Sequence, residues 1–205
     1  TKAGIDFYQD LFAEPYPFGK YDQIFVPEFN WGGMENVAAI GYTDTVIFRD
    51  PPTEDQVTRR AEYLTHELAH MWFGDLVTMR WWNGIWLNEA FATFMEVAAC
   101  EDYRPDWDRW TAFGVERSIA FETDSLESTR SVEFEVRSPA DADGMFDVLT
   151  YQKGGALLRM LEQYLGPERF RAGVSHYLKL HSYSNTETND LWDAIEETSG
   201  EPVRR

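Results

Sequence analysis

Thr53–Gly74 reads TEDQVTRRAEYLTHELAHMWFG, and the fold is decided there. Pro51-Pro52 stops the preceding segment, and Thr53 with Gln56 three residues on forms a capping box, the mark of a helix start. Val57, Ala61, Leu64, Leu68 and Met71 recur at steps of four and three, an amphipathic stripe. With Gly74 as C-terminal cap, the pattern predicts one long helix. His66-Glu67-Leu68-Ala69-His70 lies inside it. A spacing of four sets both imidazoles on one helical face about one turn apart, fit to grip one ion. That face lies roughly 180° to 220° from the centre of the stripe. The pair is expected to point away from the anchoring core, where ligands lining a cleft belong.

The next helix opens with Trp86-Leu87-Asn88-Glu89-Ala90-Phe91-Ala92 and carries the stripe Leu87, Phe91, Phe94 and Ala98. Glu89 falls about 200° from the centre of that stripe, again opposite the core. Two neutral imidazoles and a carboxylate, with a fourth position open to water, make the pattern of catalytic zinc. One Zn2+ per chain is therefore expected on His66, His70 and Glu89. A structural zinc needs four protein ligands, and Cys100, the only cysteine, cannot complete such a set. Glu67 projects beside the open position, suited to take a proton from water that the metal has acidified.

Around these helices the chain reads as α+β. Ile5–Phe12 is predicted helical and ends in the turn-rich run Glu14-Pro15-Tyr16-Pro17-Phe18-Gly19. Gln23–Phe29 and Val37–Phe48, rich in β-branched and aromatic residues, read as strands, and Leu76–Met79 as a short extended piece. Further helices are predicted over Trp86–Asp102, Asp106–Phe121, Thr150–Leu165, Pro167–His181 and Asn189–Thr198. The expected organisation is a single domain: a small mixed α/β lobe over about 1–81 that includes the HExxH helix, then a mostly helical lobe over about 82–205. The active-site cleft is expected between them.

Composition narrows the function classes. The 205 residues are 43% hydrophobic and 16% aromatic, enough for one packed core. A net charge of −18 argues against nucleic acid, whose phosphates it repels, and suits a cationic group such as the free amino terminus of a peptide. No stretch approaches the roughly 18 apolar residues of a membrane span. A lone cysteine fits a reducing, cytoplasmic compartment. The opening Thr1-Lys2-Ala3-Gly4 has neither an initiator Met nor a signal-peptide layout, so a fragment of a longer multidomain enzyme is expected.

Gly32-Gly33-Met34-Glu35-Asn36, the HExxH motif, Trp72-Phe73-Gly74-Asp75-Leu76-Val77-Thr78-Met79, Trp86-Leu87-Asn88-Glu89 and Tyr151-Gln152-Lys153-Gly154 occur in one order and spacing. Together they resemble the aminopeptidase N family of zinc exopeptidases, a gluzincin group, and the resemblance spans essentially the whole chain. It implies a thermolysin-like catalytic domain acting on peptides with a free N-terminus. It also implies that Glu89 is the third zinc ligand, that Glu35 holds the substrate's α-amino group, and that Tyr151 stabilises the oxyanion. Flanking domains, an N-terminal β domain and a C-terminal helical one, are implied as well. Two departures stand out: Ala90 replaces the family's glycine after the ligand glutamate, and Trp81-Trp82-Asn83-Gly84-Ile85 replaces a commoner acidic version. Ala is the better helix former, so the ligand helix is expected to survive.

A fixed carboxylate recognises an ammonium by charge-assisted hydrogen bonds. Gly32 and Gly33 leave a backbone edge open for strand addition by a peptide, although taken alone they read as a simple turn. Tyr151 offers a phenolic donor, although taken alone it reads as a packed tyrosine. Met34 and Phe29 are candidates to line the pocket for the first side chain. Glu96, seven residues after Glu89 on the same face, is a candidate to accept the other ring N–H of a ligand histidine. Asp75 and Asn88 are candidates to orient ligands, Glu62 is expected to face solvent, and His176 and His181 read as structural. HExxH alone also fits an endopeptidase, and the Gly-Gly-Met-Glu-Asn segment also occurs in an epoxide-hydrolase branch. A catalytically silent binding scaffold is the non-enzyme alternative.

Overall fold

A computed structural model describes residues 1–204 of the chain. In chain order the elements are α1 (Lys2–Phe12), β1 (Asp22–Val26), β2 (Gly33–Met34), β3 (Ala39–Thr43), α2 (Glu54–Ala69), β4 (Val77–Met79), α3 (Trp86–Tyr103), α4 (Arg109–Asp124), α5 (Pro139–Asp143), α6 (Gly154–Leu165), α7 (Pro167–His181), β5 (Ser184–Thr186) and α8 (Thr188–Ser199). The architecture is α+β with helices predominating, as the sequence predicts. One sheet has the order β1-β3-β2, with β1 parallel and β2 antiparallel to β3. Gly33 lies opposite Tyr42 and Met34 opposite Gly41, which leaves the outer edge of β2 unpaired within the sheet. A second, two-stranded sheet pairs β4 with β5 in parallel.

Helix α2 begins as its sequence requires. Gln56 N–H donates to Thr53 Oγ1 at 3.3 Å, and Thr53 N–H donates to Gln56 Oε1 at 2.9 Å, so the capping box is closed in both directions. Its end differs from the sequence expectation. The helix stops at Ala69, not at Gly74, and His70 is the cap residue. Beyond it the chain tightens, Met71 N–H bonding to Leu68 and Trp72 N–H to Ala69, then reverses through Gly74 at φ +139°. Gly74 thus serves a reversal beyond the helix rather than its cap. The strands Gln23–Phe29 and Val37–Phe48 are shorter than predicted: the first ends at Val26, and the second gives way after Thr43 to a 3₁₀ turn over residues 44–46 that Thr43 caps. Arg109 begins α4 three residues later than expected, after a 3₁₀ turn over Pro105–Trp107 and a left-handed Asp108. Neither α5 nor β5 was predicted.

The main apolar core draws on residues from Tyr8 to Ile195, among them those at the contact of α2 with α3, and a smaller cluster joins Ile85, Val136 and Met145. Leu68, Ala69, Trp72, Trp86, Ala90 and Phe91 are fully buried there. Phe73 and Phe91 stack face to face with centroids 4.3 Å apart and planes 1° apart, which pins the reversal after α2 onto α3. Tyr8, also fully buried, ties α1 to both helices: its hydroxyl lies 3.0 Å from the Thr65 carbonyl and 3.1 Å from that of Met95. A hydroxyl has one proton to donate, so these two carbonyls share it. Arg171 of α7 donates to the Leu11 and Asp10 carbonyls, closing the last helices back onto the first. No helix of the described residues is long and apolar enough to cross a membrane.

Tyr8→Phe keeps the ring and removes the hydroxyl that two buried carbonyls share. A loss of about 1–3 kcal/mol of stability is expected, measured by urea unfolding. An unchanged midpoint would mean that the hydroxyl holds nothing.

Candidate active site

His66 and His70 leave the last turn of α2 facing Glu89 in the first turn of α3. His66 Nε2 and His70 Nε2 each lie 3.3 Å from Glu89 Oε2. The other nitrogen of each ring is already engaged: His66 Nδ1 lies 2.6 Å from Glu96 Oε2, and His70 Nδ1 lies 3.0 Å from the Phe73 carbonyl. A carbonyl or carboxylate can only accept, so each Nδ1 carries a proton, and a ring in its neutral form would turn a bare Nε2 lone pair toward Glu89. Two lone pairs facing a carboxylate oxygen repel unless a positive charge sits between them. The donor set therefore fits a cation, and ligand atoms of His66, His70 and Glu89 all lie within 4.8 Å of one another.

Burial sharpens the demand. Glu89 is 4% exposed and His70 is 1% exposed, so neither is solvated. Burial alone would favour a neutral Glu89, but His70 and His66 outweigh it and hold the carboxyl well below the usual carboxylate range. Burial likewise opposes a charge on His70, but Glu89 and Glu35 carry its pKa up to about 10. His66 is also raised, Glu96 and Glu89 outweighing burial. Without a metal, protons fill the positive position between these groups.

The sequence expectation that both imidazoles turn away from the core needs correcting. α3 covers that face of α2, so the pair sits at the buried floor of a cleft. Val57, Ala61 and Leu64 of the proposed stripe are only half-buried. Residues Trp86 to Met95 of α3 are buried all round, so its stripe does not single out one face.

The cleft has a volume of about 530 Å³. Its lining includes Trp31 to Glu35, Tyr63, Met79, Trp82, Ile85, Asp143, Phe146 and Tyr151. Glu67 is 6% exposed and lies beneath β2: a Cβ built on Gly33 would come within 2.4 Å of its Oε1. A Cβ on Gly32 would meet the Tyr63 ring at 2.9 Å. These glycines are required because the strand runs directly over α2, not merely to make a turn. Burial pushes the Glu67 carboxyl up to about 7, His66 and His70 opposing and Glu35 and Glu89 assisting. Glu35, Glu67 and His70 also have ligand atoms within 4.8 Å of one another, so Glu35 faces the same space. Tyr151 stacks on His66 with ring centroids 6.0 Å apart. Burial first, then Glu89, raises the pKa of its hydroxyl far above the ordinary phenol value, so it keeps its proton. Met34 lines the cleft.

Other candidates are placed differently. Phe29 lies outside the cleft, against Trp31 and Gly41. Glu62 does not face solvent: Arg109 of α4 reaches over to pair with it, and burial raises its pKa to about 7. Asp75 is half-buried with Oδ2 unpartnered, its pKa raised by burial to about 7. Asn88 is buried beside Gly74 and lines the cleft. His176 pairs with Glu197 at an exposed position and His181 packs on Tyr177, both remote from the cleft. Sequence reasoning did not single out Trp82, Asp143 and Phe146 as cleft residues. Trp82 and Phe146 meet edge to face with centroids 6.5 Å apart, a contact with no local sequence signal. A second depression of about 470 Å³, lined in part by residues of α1, α3 and α7, holds no imidazole.

Below its pKa of about 10, His70 carries a proton that an incoming cation must displace. Divalent-ion binding is therefore expected to release protons and to strengthen as the pH rises toward that value. Titration calorimetry in buffers of different ionisation enthalpy measures the release; a pH-independent affinity would contradict this geometry.

The sequence model of the Peptidase family M1 domain matches residues 1–205, the whole chain. The chain is 46% identical over 208 residues to the aminopeptidase N of Streptomyces lividans, a match that covers 100% of this chain and 24% of that protein. It is 44% identical over 205 residues to the leucyl aminopeptidase of Saccharolobus solfataricus, covering 99% of this chain and 26% of the relative. It is also 44% identical over 207 residues to the tricorn protease-interacting factor F2 of Thermoplasma volcanium, covering 100% and 26%. The chain thus spans about a quarter of the length of the curated relatives it matches. With a family match over its full length and an α+β fold that agrees with it, the chain belongs to peptidase family M1.

Proposed function

We propose that this chain is the catalytic portion of a zinc-dependent aminopeptidase that hydrolyses the first peptide bond of peptides with a free amino terminus. The observation that carries the reading is the convergence of both imidazole Nε2 atoms on Glu89 Oε2 at 3.3 Å, with both Nδ1 atoms already engaged. His66, His70 and Glu89 would hold one Zn2+, a set of nitrogen and oxygen donors that leaves a position open. When bound, the ion supplies Lewis acidity to the scissile carbonyl and lowers the pKa of water toward about 7.

The chain's own residues supply the rest. Glu67 is the general base; a carboxyl pushed up to about 7 is matched to accepting and returning a proton near neutrality. Tyr151, held protonated beside Glu89, donates to the oxyanion that develops on the substrate carbonyl. Glu35, sharing its space with Glu67 and His70, anchors the terminal ammonium by charge-assisted hydrogen bonds. The free edge of β2 at Gly32-Gly33 pairs with the extended peptide backbone, and Met34 borders its first side chain. Glu96 accepts from His66 Nδ1 and fixes the ring's tautomer. None of the described residues lining the cleft is a lysine or arginine, while five carry carboxylates, which favours a cationic substrate end. In this reading the residues to about 81 and those from about 82 form two lobes of one domain, and flanking domains complete the enzyme.

Names of relatives support the same activity: two of those compared are called aminopeptidases. Glu67→Gln is expected to retain zinc and lose nearly all turnover, on the order of 10²-fold or more, measured as metal content and kcat on an aminoacyl substrate. Undiminished kcat would remove Glu67 as the base. A free-amine peptide is expected to be cleaved far faster than its N-acetylated form. Equal rates would remove Glu35 as amine anchor and favour an endopeptidase.

A further inference from the structure

The segment that carries Tyr151 is not the start of an ordinary α-helix. Residues Leu149–Lys153 form a π-turn that precedes α6, where the sequence predicts α-helix from Thr150 onward. Its wide bonds are visible in the backbone: Lys153 N–H bonds to the Val148 carbonyl at 3.0 Å, and Gly154 N–H reaches that of Leu149. A π-turn takes one more residue per turn than an α-helix, so Tyr151 is rotated out of the register that α6 would impose. Such turns are less favourable than α-helix and persist where something holds them.

Two ion pairs hold this one. Arg130, whose side chain is 12% exposed, reaches Asp147 Oδ1 at 2.6 Å and Thr150 Oγ1 at 3.0 Å. The same Asp147 oxygen accepts from the backbone N–H of Leu149 and Thr150, capping the turn at its entry. At its exit, Lys153 Nζ donates to Asp124 Oδ1 at 2.6 Å and to the Arg130 carbonyl at 3.0 Å. The network thus clamps both ends of the turn. The exit is also pressed onto the ligand helix: a Cβ on Gly154 would come within 2.6 Å of that of Ala90, the neighbour of Glu89.

We propose that Arg130–Asp147 and Lys153–Asp124 are positioning pairs that hold the π-turn and aim the Tyr151 hydroxyl into the cleft beside Glu89. Neither pair lines the cleft, so each acts through the turn. The catalytic consequence rests on the reading of Tyr151 as donor to the oxyanion, and the test separates the two.

In the full-length, zinc-loaded protein, Lys153→Met is expected to lower kcat ten- to a hundred-fold, the scale on which about 1 Å of misplacement is felt. KM and zinc content should change little, and Lys153→Arg should restore most of the rate. In a Tyr151→Phe background the same Lys153→Met change should cost almost nothing, because there is no hydroxyl left to aim. The same fold-loss in both backgrounds would overturn the proposal. A second readout does not depend on catalysis: 3-fluorotyrosine placed at position 151 alone, observed by 19F NMR in the metal-free protein. Lys153→Met should shift or broaden that line and Lys153→Arg should return it. An unmoved line would overturn the positioning role. If Tyr151→Phe turns over at the parent rate, the donor role falls, and a moved line still supports the positioning while an unmoved one overturns it.

Discussion

Everything in this structure is arranged around two imidazole nitrogens held 3.3 Å from one buried carboxylate oxygen. Burying a carboxylate is costly unless positive charge and hydrogen bonds meet it, and Glu89 has almost no contact with solvent. The surrounding fold is what keeps that contact in place. α2 must stop at Ala69 so that His70 can turn its Nδ1 to the Phe73 carbonyl. Phe73 in turn must stack on Phe91, two residues beyond Glu89, which fixes the distance between the end of one helix and the start of the other. Tyr8 and Trp72 back the same contact from the far side, Tyr8 through hydrogen bonds and both through ring packing. The site is thus built on the rigid α2–α3 interface, while the groups that would touch substrate come from an edge strand and a π-turn laid over it.

Local signals made α2 and its motif legible in the sequence. The capping box of Thr53 and Gln56 is closed in the structure as its letters imply, and a spacing of four suffices to bring His66 and His70 together. Glu89 and Glu96 were also legible although they meet the histidines across a gap in sequence, but other distant contacts left no local sign. The end of α2 depends on Phe73 meeting Phe91, which no helix-stop residue announces. The direction of Glu89 was inferred from a stripe on α3, yet α3 is buried on all sides near the site, and only its packing on α2 distinguishes the face. Glu62 looked solvent-facing because Arg109, its partner, comes from another helix. The π-turn escaped because the partners that clamp it, Asp124 and Arg130, lie some twenty residues or more before it in the chain. β5 escaped because Ser184-Asn185-Thr186 has no apolar alternation; its pairing with β4 is what makes it a strand.

Electrostatics and shape converge on the cleft. Glu35, Glu67, Glu89, Glu96 and Asp143 face it with no lysine or arginine among the described lining residues, so a cationic group entering there is favoured before any specific contact forms. The glycine edge of β2 lies so close over Glu67 that no side chain fits between them. The unpaired edge of β2, a carboxylate poised near neutrality and a protonated phenol thus all border the same cleft. That combination separates this cleft from the second depression on the molecule, which holds no imidazole and has Arg159 and Arg171 in its lining.

The most direct test of the central claim is where the metal sits. Crystals of the zinc-loaded protein, measured on both sides of the zinc absorption edge, would locate the ion by anomalous difference density. A single strong peak between His66 Nε2, His70 Nε2 and Glu89 is expected. Absence of density there, or a dominant peak at the Glu35–Glu67 side instead, would contradict the two-histidine, one-glutamate site on which the functional reading stands.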